Sequence, residues 1–280
     1  MKNAFAALLA FLALLAGQAA VAQTLRPVVV ELFTSQGCSS CPPADALLGK
    51  LATRKDLIAM SLPITYWDML GWKDTLASED NTRRQKAYAA TMGRGGVYTP
   101  QIIVEGTADV VGSQSDAVLS AIAEAERRLE QDADAAPGLR SVLVKASESE
   151  IVQRGGRISA QSKARELSNV GIALSWTAHH VHIVIAPAGK NAPEATIWAF
   201  RLRPSITVAI GAGENAGRTM TYRNVVSEIR NLGHWKGKPV SLDLPRAPDQ
   251  EGVVVVLQQG GYGRVIGAAY LARADAYAEK

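Results

Sequence analysis

The stretch Val28–Ala52, VVVELFTSQGCSSCPPADALLGKLA, decides how this chain is read. Val28–Phe33 is continuous, β-branched and apolar after Pro27, the pattern of a buried strand. From Cys41 to about Thr53 the apolar residues Ala44, Leu47, Leu48 and Leu51 recur at helical spacing. Pro42 suits a first-turn position, whose N–H has no intrahelical partner. Between strand and helix stand Cys38 and Cys41, the only two cysteines in 280 residues. They lie one helical turn apart, within reach of a disulfide. The free N–H groups and dipole of a helix start favour a thiolate at Cys38. That spacing suits an exposed attacking sulfur on Cys38 and a second on Cys41 to resolve a mixed disulfide. A purely structural bond is a poor use of so short a loop, which restricts the unfolded chain little. From the residues alone, redox exchange, capture of a soft metal and a passive bond all stay open.

Working outward, Leu57–Leu62 reads as a second strand, followed by the loop PITYWDMLGWKD. Ser78 is a candidate N-cap for the polar helix EDNTRRQKAYAATMGR. VYTPQIIVEG contains a turn and a third strand, ADVVGS a fourth, and Ser115–Asp132 an amphipathic helix with Val118, Ile122 and Leu129 on one side. The order β-α-β-loop-α-β-β-α predicts a parallel crossover first and a tight antiparallel pair near Gly106. Gln131–Gly138, QDADAAPG, reads as a linker. Beyond it come short apolar or alternating runs at Ser141–Ala146, Gly171–Trp176, His180–Ala186, Ala195–Leu202, Ser205–Ile210, Val240–Leu244, Val253–Gln258 and Val265–Leu271. Their spacing predicts an all-β, sandwich-like region in which only Tyr222–Leu232 is helical.

Composition bounds the function. Residues 1–22 read as a cleaved export signal: Lys2, the apolar run Ala4–Ala16, and the small-x-small site Ala20-Val21-Ala22. That run is shorter than the ~20 residues a spanning helix needs, and no later segment is apolar enough. The expected location is therefore periplasmic or secreted, where a nearby cysteine pair tends to be oxidised. The net charge of +4 comes from scattered residues and argues against a nucleic-acid partner. No Gly-x-Ser-x-Gly elbow, His-Glu-x-x-His helix or Walker loop is present.

Further residues cluster around the cysteine reading. Thr99-Pro100 precedes the third strand; an X-Pro bond in a tight turn can be cis and present a backbone edge to a substrate chain. Glu31, mid-strand, would suit proton transfer with Cys41 if it lay buried beneath the helix. Trp67 and Trp72 are candidate peptide-binding aromatics, equally suited to packing their loop. His180 and His182 share a strand face, with no carboxylate nearby in sequence to complete a metal site. GAGENAGR lacks the spacing of a dinucleotide loop and reads instead as a tight turn in which Glu214, Asn215 and Arg218 bond across a domain boundary.

The segment from Val28 to about Leu129 resembles the thioredoxin fold. ELFTSQGCSSCPPAD, YWDMLGWKD, RRQKAYA, VYTPQIIVEG and the later GENAGRTMTYRNVV and LGHWKG together resemble an exported thioredoxin-like family catalogued as domain of unknown function 1223. The resemblance implies a thioredoxin-like α/β domain at residues 23–132, and the strand spacing places an all-β sandwich-like domain after it at 139–280. Carried over by position, it makes Cys38 the attacking cysteine, Cys41 the resolving one, and Pro100 the cis-proline. Where the family usually has a histidine and an aspartate before the YWD motif, this chain has Pro63 and Thr65. The expected function is thiol–disulfide oxidoreduction through a Cys38–Cys41 disulfide, with protein or small-molecule thiols and disulfides as partners and no cofactor. Two other readings stay in view: a Cu(I) chaperone using the same dithiol, and a non-catalytic envelope binding protein on a thioredoxin scaffold.

Overall fold

The computed structural model describes residues 25–134, 169–188, 192–246 and 251–272. The export signal, the strand expected at Ser141–Ala146 and the expected linker after residue 134 lie outside the described residues. The elements are β1 (Val28–Thr34), α1 (Pro42–Leu51), β2 (Leu57–Pro63), a 3-10 turn at Asp68–Leu70, α2 (Glu79–Thr91), β3 (Gln101–Val104), β4 (Ala108–Val111) and α3 (Ser115–Asp134). There follow β5 (Ile172–Trp176), β6 (His180–Ile185), β7 (Ala195–Ala209), β8 (Thr219–Trp235), β9 (Val240–Pro245), β10 (Gly252–Gln259) and β11 (Val265–Leu271).

The protein is mixed α/β, with an eight-stranded sheet ordered β11-β10-β7-β8-β2-β1-β3-β4 and a second sheet ordered β5-β6-β9. β1 and β2 are parallel across the α1 crossover, and β3 runs antiparallel to β1. The later strands continue this sheet through a parallel bridge between Ser61 of β2 and Val225 of β8. Asn224 reinforces the join, its side-chain amide donating to the Ala59 carbonyl at 2.9 Å.

Alternation along the strands sorts the core into three layers. Val28, Val30 and Leu32 pack with Ala44, Leu48 and Leu51 of α1 and Val118, Ile122 and Leu129 of α3. Val29 and Phe33 point the other way, against Tyr88 of α2 and against Phe200, Val254, Val256 and Val265 of the later strands. The opposite face of β7 and β10 covers Val181, Ile183 and Ile185 of the small sheet. The first two layers follow from the buried β1 sequence; the third follows from the strict alternation of β6.

Two turns lock the ends together. Gly106 has φ +70°, and a Cβ there would fall 2.1 Å from the Gly263 carbonyl oxygen, so the β3–β4 turn sits directly on the β10–β11 turn. Beside it the Glu105 carboxylate accepts from Arg26 at 2.5 Å and from the Val29 N–H at 2.7 Å.

Tyr222–Leu232 is part of β8, correcting the helical expectation. Tyr222, Val225, Val226 and Ile229 recur at helical spacing. Asn224 with φ 47° and a register shift opposite Arg201–Leu202 interrupt the two-residue alternation that would mark a strand. The two strands expected around Pro204 are one, β7. Its ladder with β10 ends at Leu202, so Pro204 falls where no neighbour on that side needs its missing N–H.

α2 begins at Ser78, whose hydroxyl accepts from the Asn81 N–H at 3.2 Å. Ser78→Ala leaves that N–H without its cap and is expected to cost about 1 kcal/mol. A urea midpoint lowered at constant slope is the readout; an unchanged midpoint would show the cap to be dispensable. Among the described residues no helix is long and apolar enough to cross a membrane.

Candidate functional site

β1 delivers the chain to a tight turn at Ser35–Cys41. The Ser35 hydroxyl accepts from the Gly37 N–H at 3.1 Å, and the Ser35 carbonyl accepts from the Cys38 N–H at 3.2 Å. Cys38 and Cys41 form a disulfide. Cys41 is the N-cap of α1, with prolines filling the first positions and the Cys41 carbonyl accepting from Ala44 and Asp45. The helix start is therefore poorer in free donors than its sequence position suggests. Pro42 and Pro43 have no N–H, the Cys41 N–H goes to the Cys38 carbonyl, and the Ser39 N–H goes to Glu214.

Both sulfur-bearing residues are covered. Cys38 is 2% exposed and Cys41 fully buried, whereas Ser39 and Ser40 are exposed. The attacking sulfur expected to be exposed is thus buried, because the tip of the β7–β8 hairpin reaches back to the cysteine turn. Asn215, 1% exposed, donates from its amide to the carbonyls of Gln36 and Cys38, both at 2.9 Å. Glu214 accepts from the Ser39 N–H at 3.0 Å. Trp72 packs against Gly211 and Gly213 of the tip and donates its indole N–H to Gln36 at 2.8 Å. Arg218 contributes backbone bonds that close the tip.

Trp67 and Trp72 are half-buried and each commits its indole N–H internally, as the packing reading expects. Trp67 donates to the Thr99 hydroxyl at 2.7 Å, and its Cβ lies 3.3 Å from where a Gly37 Cβ would be. It therefore bridges the cysteine turn and the segment before β3. The Thr99-Pro100 peptide is cis. Pro100 lies beside the first turn of α1: a Cβ on Gly112 would touch Ala44, Leu32 and Pro100 together at 3.1–3.2 Å. Among the described residues the Thr99 N–H and carbonyl make no hydrogen bond, leaving an edge about one residue long.

Glu31 faces away from α1. It shares strand parity with Val29 and Phe33, and its carboxylate is fully buried against Arg84 of α2. Arg84 donates to it from Nε at 2.5 Å and from Nη2 at 2.8 Å, and the Tyr88 hydroxyl donates at 2.6 Å. The proton-transfer role expected of Glu31 is not available from that face. Burial, the largest single effect, lowers the Arg84 affinity for its proton, but the Glu31 charge, Tyr88 and the hydrogen bonds to Glu31 together outweigh it and hold the guanidinium above its ordinary value. A cavity of about 170 Å³ lined by Asp80, Arg83, Arg84, Trp198, Ile229 and Tyr262 opens beside this network, and none of those residues belongs to the cysteine turn.

The carboxylate on the cysteine side is Asp45, one helical turn after Cys41 and 6% exposed. Neither of its oxygens meets a donor in hydrogen-bonding geometry. Burial pushes it from 3.8 up to about 8, with the neighbouring Thr34 hydroxyl offsetting part of that and the Asp74 charge adding to it. Asp74 is itself raised by burial, despite accepting from the Gln36 and Leu76 N–H groups. Tyr222 of β8 is held high by burial and then by these two carboxylates. The sequence carried a signal for Asp45: a lone carboxylate on the apolar face shared by Ala44, Leu48 and Leu51.

His180 and His182 do share a face of β6, and Asp243 of β9 supplies a carboxylate that linear proximity could not reveal. Its oxygen lies 2.7 Å from His182 Nδ1 and 3.3 Å from His180 Nε2. Among the described residues no group of three or more His, Cys, Asp or Glu side chains is arranged to hold a metal ion.

This geometry defines a mixed α/β protein with a buried CxxC disulfide at the start of a helix. The DUF1223 profile, described as "Protein of unknown function", matches residues 29–150 and 142–258, and the chain belongs to that family. Among solved structures it is similar to protein AGR_C_4864 of Agrobacterium tumefaciens, at 30% identity over 90% of this chain and 96% of that one, with TM-score 0.65. It is also similar in fold to HBP35 of Porphyromonas gingivalis, at 12% identity over 89% of this chain and 75% of that one, with TM-score 0.52. No curated protein matches the sequence.

Proposed function

We propose that the protein is a thiol–disulfide oxidoreductase on a thioredoxin-like unit at residues 23–132, carried with a β-sandwich-like unit at residues 139–280. The observation that carries this reading is the Cys38–Cys41 disulfide between β1 and α1, next to the unpaired Thr99 backbone. Cys38 is the attacking sulfur and Cys41 the resolving one. Thr99 and Pro100 shape the edge along which a substrate chain docks, and Trp67 and Trp72 set the walls of that approach. Asp45, rather than Glu31, is the carboxylate suited to exchange a proton with Cys41, because it shares that cysteine's helix face. The leader-like first 22 residues fit a chain that works outside the reducing cytosol, in the periplasm or beyond it.

The test is turnover of a fluorescent mixed-disulfide peptide. Cys38→Ser is expected to lower the rate by about two orders of magnitude or more, since the nucleophile is removed outright. Cys41→Ser is expected to trap the mixed disulfide, visible as a mass increase of the intact protein. Full turnover by Cys38→Ser would sink the reading, and so would stoichiometric Cu(I) binding by a pair inert toward disulfides.

A further inference from the structure

Three features of the cysteine turn bear on the direction in which electrons move. First, most backbone donors around Cys38 are spent: Pro42 and Pro43 have none, and the Cys41 N–H is taken by the Cys38 carbonyl. Among the described residues the Ser40 N–H and the Ser40 hydroxyl, 3.4 Å from Cys38 Sγ, are the neutral donors left. Second, the Ser39 N–H is occupied by a carboxylate brought from 175 positions away, Glu214. Third, among the described residues the charged side chains bonded to the turn, Asp74 and Glu214, are acidic. Asp45 approaches from α1, Asp74 from the loop after β2 with Asp68 bonded behind it, and Glu214 from the β7–β8 tip. Tyr222 faces the same carboxylates from β8. Among the described residues no Arg, Lys or His side chain bonds to residues 35–41. Arg223 packs instead over Gly49, toward the far end of α1.

We infer that Glu214 poises the pair as an electron donor: by taking the Ser39 N–H and adding negative charge, it disfavours a Cys38 thiolate and so favours the disulfide over the dithiol. This rests on the exchange reading above and adds its direction and substrate class. A stabilised thiolate makes a dithiol–disulfide pair oxidising; withdrawing that stabilisation moves it toward the reducing end. The substrate is then a protein or small molecule bearing a disulfide. The Cys38 thiolate attacks one substrate sulfur, and the other leaves as a thiolate that takes up a proton. Cys41 loses its proton and attacks Cys38, releasing the second substrate sulfur. Two electrons have passed to the substrate, and the protein is left as the Cys38–Cys41 disulfide. A dithiol reductant restores it by the reverse exchange and is itself oxidised.

Glu214→Gln tests this, because it keeps an acceptor for the Ser39 N–H while removing the charge. The full chain is equilibrated with glutathione and dithiothreitol redox buffers, and free thiols are trapped and counted by mass. The wild-type pair is expected to stay oxidised in glutathione and to be reduced by dithiothreitol. Because Glu214 is exposed, Glu214→Gln is expected to shift the equilibrium about threefold toward the dithiol, about 15 mV for a two-electron couple. In the reduced variant the pH midpoint for Cys38 alkylation falls. That midpoint reports acidity, whereas the alkylation rate would also report access. An equilibrium and midpoint unmoved by Glu214→Gln, or a wild-type pair that glutathione readily reduces, overturns the inference while leaving exchange standing. A pair that dithiothreitol cannot reduce overturns both. An unchanged melting temperature of the oxidised variant separates these effects from loss of fold.

Discussion

Arg84→Ala is expected to destabilise the protein by about 3–5 kcal/mol, the usual cost of breaking a buried ion pair from one side. Glu31 cannot reach water after the change: it is fully buried at the centre of β1, between Val30 and Leu32. Its remaining partner is the Tyr88 hydroxyl, which also accepts from Gln258 at 2.8 Å. The guanidinium lies 4.8–5.6 Å from the ring centres of Tyr88, Trp198, Phe200 and Tyr262, so the substitution also empties an aromatic enclosure. Lysine does not substitute, because only the planar fork engages Glu31, Tyr88 and Gln258 together. Glu31→Leu combined with Arg84→Met removes both charges and is expected to recover more than half of the loss. Denaturant unfolding of Glu31→Leu, Arg84→Met and the double makes a complete cycle. A loss under about 1 kcal/mol for Arg84→Ala, or a double equal to the sum of its singles, would show that the pair is not coupled.

That network also marks where sequence reading stops. The elements up to α3 are legible because each has its own period: continuous apolar residues in β1, helical spacing in α1 and α3, a serine cap before α2. Glu31 is legible only as a buried carboxylate. Its partner stands 53 positions away on the opposite side of the sheet from α1, and which side it faces depends on one residue of strand parity. The cysteine pair, the Thr99-Pro100 turn and the two tryptophans are all visible as motifs.

That Glu214 and Asn215 bond across to the first region is legible in the turn GAGENAGR; that they cover the cysteine pair is not, because they sit at the tip of a hairpin whose second strand carries a helical spacing of apolar residues. The join of the two regions is equally silent. Between β2 and β8 the backbone pairing is a single bridge, Ser61 to Val225, supported by one amide from Asn224, and neither leaves a pattern in the local sequence. The same limit applies to the histidines of β6, where the residue that ties them together lies on β9. Local periodicity specifies what an element is; pairing between distant elements decides what its polar residues meet.

Asp45→Asn is expected to raise the stability of the oxidised protein by several kcal/mol above pH 8 and by little near pH 4. Asp45 titrates at about 8 in the folded protein, against 3.8 ordinarily. Between those values the native state holds a proton that the unfolded chain has released, so stability falls as pH rises through the window. Each unit of displacement is worth about 1.4 kcal/mol, and the loss is complete only above the folded value. Asparagine keeps the shape and has no charge to desolvate, so the slope between pH 4 and pH 8 flattens. A weaker slope of the same sign persists, because burial also raises Asp74. At pH 8 the melting temperature should rise by roughly 10–20 °C on the usual scaling for a chain of this size. A slope identical in wild type and variant would locate the pH dependence elsewhere. The same substitution is expected to slow release of the mixed disulfide by Cys41, because the amide cannot accept its proton. Greater stability with slower resolution would mean that the carboxylate is kept at the cost of the fold for the sake of exchange. Greater stability with unchanged resolution would leave Asp45 a buried charge without a catalytic part.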